Sequence, residues 1–114
     1  MKVVHCKREL YTHYIGRGSL LGNPFTYLPI GNTKATVQVA TRDESVDFYF
    51  MWLLGDERFK YLEPKRRLDI LKWIVQAPEN SVLGCFCHPL RCHGDILVML
   101  KDKHNSDPCY LGNL

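Results

Sequence analysis

The 114 residues, 46% apolar and 24% charged, are enough for one domain with its own core and exclude a wholly disordered chain. A formal charge of +3 tolerates an anionic partner but falls short of the strongly basic footprint of a dedicated nucleic-acid binder. The longest apolar run, Phe48 to Leu54, is too short for a signal-peptide core or a membrane span, so the expected compartment is the cytoplasm.

Met1 to Cys6 is short and β-favouring and predicts an opening strand. Tyr14 and Ile15 predict a second, followed by a loop from Gly16 through Gly18 and Gly22 to the turn signal Asn23-Pro24-Phe25. Ala35 to Ala40 alternates and reads as a brief strand or the approach to a helix. Thr41 and Glu44 have capping-box spacing, a hydroxyl acceptor followed three residues later by a carboxylate. Val46, Tyr49, Phe50, Leu53 and Leu54 then form an apolar stripe that Gly55 can end.

Pro64 predicts the start of another helix, with Leu68, Leu71, Ile74 and Val75 buried and Lys65, Arg66, Arg67, Asp69 and Lys72 wet. Ser81 to Cys87 reads as a buried strand, and Cys92 to Lys103 as the last helix. The tail 104–114 has no clear periodicity. Trp52 and Trp73 are expected in the core; His5, His13 and His104 are scattered, and Cys6 and Cys109 show no partner pattern. No repeat or linker divides the chain, so residues 1–114 are expected to form one small three-layer α/β domain with a partly parallel sheet.

Three of the five cysteines fall within eight residues, in Cys85-Phe86-Cys87-His88-Pro89-Leu90-Arg91-Cys92-His93-Gly94-Asp95. On a strand Cys85 and Cys87 would face the same way, and a turn would bring Cys92 and His93 to them. One reading is zinc held by Cys85, Cys87, Cys92 and His93 (or His88), since thiolate and imidazole are its preferred ligands. A second is a metal-free thiolate, with Cys92 made acidic by the helix N-terminus, His93 or His88 as base, and Asp95 as the orienter. There the free amides could also receive an anion, with Gly94 allowing close approach. A third is plain core packing, because free cysteine is commonly buried.

The loop Gly16-Arg17-Gly18 suggests an anion site, with backbone amides cradling the charge and Arg17 adding a bidentate contact. It lacks the spacing of a P-loop, and an ordinary turn with a solvated arginine is the alternative. Polar residues flanked by glycines tend to face a site, which selects Gly16, Arg17 and Asn23 as ligand-binding residues.

Taken together, Tyr14-Ile15-Gly16-Arg17…Gly22-Asn23-Pro24-Phe25 and Cys85-Phe86-Cys87…Pro89…Cys92-His93-Gly94-Asp95 resemble a family of short phage and bacterial proteins known only as a domain of unknown function. The resemblance spans about Val3 to Lys101 and departs at Gly18, where that family often has proline. It implies a compact α/β protein with the two motifs as its site. The leading expectation is a small enzyme or ligand-binding domain acting on a nucleotide or nucleobase-like molecule. Gly16, Arg17 and Asn23 would hold its polar part, and Cys92, His93 and Asp95 would serve chemistry. The competing expectation is a phage accessory protein that binds a host protein or nucleic acid and uses zinc only as a staple.

Overall fold

The computed structural model describes residues 1–29 and 36–112. Its strands are short: β1 Lys2–His5, β2 His13–Tyr14, β3 Phe25–Thr26, β4 Val37–Gln38 and β5 Val82–Cys85. Three helices, α1 Arg42–Leu53, α2 Pro64–Gln76 and α3 His93–Ser106, make the expected mixed α/β chain. The strands form two sheets, β1-β5-β2 and β3-β4, and every pair is parallel. Ala35 lies outside the described residues, and the alternation after it becomes β4, paired through Phe25↔Val37 and Thr26↔Gln38. No helix among the described residues is long and apolar enough to cross a membrane.

Helix ends follow the local signals. Thr41 Oγ1 accepts from the Glu44 amide at 3.1 Å, Pro64 occupies the first turn of α2, and Gly55 ends α1 with φ of +88°. The buried faces are partly different from those expected. Trp52 is wholly buried in α1, as expected, but Leu54 is exposed; in α2 Ile70 is buried while Leu68 is exposed. Arg66 and Arg67 are fasteners, not wet-face residues. Arg66 Nη1 donates to the Leu20 and Gly22 carbonyls at 2.8 and 2.6 Å. Arg67 Nε donates to the Trp52 and Leu53 carbonyls at 2.8 and 3.2 Å, groups that a helix C-terminus leaves without internal partners.

β1 and β2 flank β5 and run the same way, so residues 6–12 must carry the chain back across the sheet. They do so over Gly84, where a Cβ would lie 2.6 Å from Tyr11 Cγ. Parallel pairing puts all three strand ends on one edge: Cys6 follows β1, Ile15 follows β2 and Phe86 follows β5. The helix α3 begins at this same edge, its Gly94 packed so closely that a Cβ there would sit 2.7 Å from Ile15 Cδ1. Two motifs about seventy residues apart in sequence therefore meet because their strands are neighbours.

Candidate functional site

The C-terminal edge of a parallel sheet is the usual ligand position in α/β folds, and a cleft opens there. One lobe, of about 330 Å³, is lined by Arg17, Asn23, Tyr27, Arg42, Arg91 and Cys92 among others. A second lobe of about 420 Å³ adds Tyr14, Gly16 and Cys85. Arg17, Phe86, Cys87 and His93 line both lobes and join them.

The glycine loop is folded tightly on itself and on α1. The Gly16 carbonyl accepts from the Ser19 amide at 3.1 Å and from Ser19 Oγ at 2.6 Å. Gly18 has φ of +93°, which proline's ring cannot adopt, so this turn is not the one a proline-bearing relative would make. Tyr49 Oη donates to the Leu21 carbonyl at 2.8 Å, and Arg66 holds its neighbours. Asn23 is buried with its amide already committed: Nδ2 donates to Ser45 O and Ser45 Oγ at 3.1 and 2.9 Å, and Oδ1 accepts from the Phe25 amide at 2.9 Å. These bonds hold the loop on α1.

Arg17 differs. One Nη2–H donates to the Phe25 carbonyl at 2.6 Å, while Nε is buried and without a partner among the described residues. Burial lowers its pKa, and it has no ion pair among the described residues. Arg42 likewise has no carboxylate there; it donates to Tyr27 Oη at 2.8 Å and lies 5.1 Å from the centre of that ring. The third cation, Arg91, is already balanced by Asp43 at 3.2 Å and Asp47 at 2.7 Å. No Asp or Glu among the described residues lines either lobe.

The cysteine cluster is arranged otherwise than the alternation implied. The strand stops at Cys85, and the chain bends through Phe86 and Cys87, so the face-sharing expected of Cys85 and Cys87 as strand residues fails. Cys85 and Cys92 are both buried with their sulfurs 3.4 Å apart. Among the described residues, no three His, Cys, Asp or Glu side chains converge as a metal-holding group, so the expected tetrad of Cys85, Cys87, Cys92 and His93 does not assemble.

Cys85 and Cys92 share one S–H···S contact in which either sulfur can be the donor. With the Cys92 S–H and the backbone amides of Cys87 and His88 directed at it, the Cys85 thiol is held below the ordinary thiol range. The same hydrogen bond, with burial, pushes Cys92 well above the ordinary thiol range, overriding the helix terminus on which it sits. Asp95 Oδ2 accepts from the Cys92 amide at 3.0 Å and caps α3; it does not orient an imidazole. That role belongs to the Ile15 carbonyl, 2.7 Å from His93 Nε2. Burial holds His93 down at about 4, so the ring is neutral, Nε2–H donates to Ile15, and Nδ1 keeps its lone pair. At that value it is a weaker base than a free histidine. Gly94 admits Ile15 and Val3, not a ligand.

All three thiols line the cleft, and Cys87 is the most exposed of them, half-buried between two buried ones. In the native protein iodoacetamide is expected to alkylate Cys87 ahead of Cys85 and Cys92, as read by mass spectrometry of the peptide carrying all three. Earlier labelling of Cys92 would contradict this packing.

Residues 3–103 match the family described as Domain of unknown function (DUF4326). No curated protein and no solved structure matches the chain.

Proposed function

The chain belongs to that family of unknown function over nearly its whole length, and from its own residues we propose that the cleft binds a small anion carrying a planar ring, of the nucleoside phosphate class. The observation that carries this is Arg17: a half-buried guanidinium whose Nε has no partner among the described residues, beside Arg42, which has no carboxylate among them, in a cleft with no carboxylate among the described lining residues. Leaving a buried donor unmade costs about 1–3 kcal/mol, and a phosphate or carboxylate oxygen would satisfy it with a charge-assisted bond. Phe86 and Tyr27 flank the same space and supply ring faces for a base. A lobe of about 330 Å³ is within the ordinary size of small-molecule sites. Cys87 is the more exposed of the two thiols lining that lobe, and neutral His93 lines it as well.

Calorimetric titration with a panel of nucleoside 5′-monophosphates, the matching nucleosides and inorganic phosphate tests this reading. At least one monophosphate should bind, and its nucleoside should bind about 10- to 100-fold more weakly, as expected for one or two lost charge-assisted bonds. Arg17→Ala should reduce monophosphate affinity by a similar factor, and Arg17→Lys should not restore it, because a point ammonium cannot reproduce the fork. Equal binding of nucleoside and nucleotide, or no effect of Arg17→Ala, would overturn the proposal.

A further inference from the structure

The sheet face opposite the buried side chain of Leu83 carries Gly84 and Tyr14, and Tyr11 lies over Gly84. Alternation along β5 puts Leu83 and Cys85 on the core side, and Phe86 just beyond the strand emerges at the open rim. The result is a row of rings running outward from the cleft. Phe86 is 6.1 Å from Tyr14, and Tyr14 is 6.3 Å from Tyr11. All three are large apolar groups left in water, at 55%, 39% and 44% exposure. Phe86 and Tyr14 also line the cleft, so row and cleft are continuous. Lys7 Nζ stands 5.9 Å from the Phe86 ring centre, and Lys7 and Arg8 outnumber Glu9 in the segment that crosses the sheet.

Exposed rings on a short sheet, next to cations and beyond an electropositive cleft, are the parts from which single-stranded nucleic acids are bound: each base has a face to stack, and each backbone phosphate needs a cation. We propose that the nucleotide held in the cleft is one residue of a single strand, whose neighbouring base stacks on Tyr11 outside the cleft while Lys7 meets the intervening phosphate. This rests on the cleft reading above and names its substrate class as a polynucleotide instead of a free nucleotide. The occupant is single-stranded because paired bases offer no free faces to these rings.

The test compares, by fluorescence anisotropy and calorimetry, random-sequence single-stranded DNA and RNA 8-mers, the same lengths as duplexes, and the nucleoside monophosphate panel. The expected result is a single strand, of one sugar type, binding at least about 10-fold tighter than any mononucleotide, from one stacked base and one phosphate. Duplexes should show no such gain. Tyr11→Leu keeps an apolar cover on Gly84 but cannot stack; with Lys7→Gln it should remove the advantage of the oligonucleotide while mononucleotide affinity stays unchanged. Equal affinity of 8-mer and mononucleotide in the wild type, or an advantage that survives both substitutions, would overturn the polynucleotide assignment and leave the cleft reading standing. Binding of neither class would overturn the cleft reading itself.

Discussion

Lowering the pH from 6.5 to about 4 should cost the protein about 3 kcal/mol through His93 alone. Burial holds its folded pKa at about 4, against 6.5 for the free side chain, and each unit is worth about 1.4 kcal/mol. A base whose folded pKa is depressed is neutral in the fold while the unfolded chain takes up a proton, so stability rises with pH across this window. The contribution is complete above pH 6.5 and is lost as pH falls toward 4. The physical cause is burial: the ring is 5% exposed and Arg17 and Arg66 add positive potential, which together outweigh the Ile15 carbonyl, whose bond from Nε2–H favours the protonated ring. Denaturant unfolding of wild type and His93→Gln at half-unit pH steps isolates the effect from the general protonation of carboxylates. The wild type should lose about 3 kcal/mol more than the variant between pH 6.5 and 4. Parallel stability profiles would show that the imidazole is not held neutral by its surroundings.

Asn23→Ala is expected to destabilise the fold by about 2–4 kcal/mol, although Asn23 lines the cleft and could pass for a ligand residue. Three buried hydrogen bonds go at once, and Ser45 O and the Phe25 amide each lose a partner. Each net bond is worth about 1 kcal/mol, and an unsatisfied buried group costs about 1–3 kcal/mol more. Against a total stability of about 5–15 kcal/mol for a domain this is a large fraction. Asn23→Asp keeps the acceptor for Phe25 but turns a carboxylate toward the Ser45 carbonyl, so at neutral pH it should be no less damaging. A melting temperature for either variant within about 1 °C of wild type would show that the loop does not depend on this amide.

Where the chain's signals were local, the sequence was readable. The Thr41–Glu44 cap, the stop at Gly55 and the start at Pro64 each depend on residues within a turn of one another, and each stands where spacing predicts. The two candidate motifs were legible for a related reason: glycines, an arginine, cysteines and a histidine packed into short stretches are unusual as plain core. What failed was inference about facing. Cys85 and Cys87 were assigned one face on the assumption that the strand continued, but it ends when β1 and β2 run out of partners at His5 and Tyr14. Arg66 and Arg67 read as solvated because a helical period cannot show that loop and helix-end carbonyls lie within reach.

By itself the sequence determined the three helices, the caps at Thr41, Gly55 and Pro64 and the strands at the start of the chain and before Phe86, since these follow from propensities and hydrogen bonds spanning a few residues. Tertiary structure alone decided which polar groups are spent and which are free. Asn23 is held by Ser45, Asp95 by the start of α3, and His93 by the Ile15 carbonyl, whereas Arg17 Nε has no partner among the described residues. A side chain's partners are settled by what parallel pairing of distant strands brings to the same edge, and no local pattern carries that information.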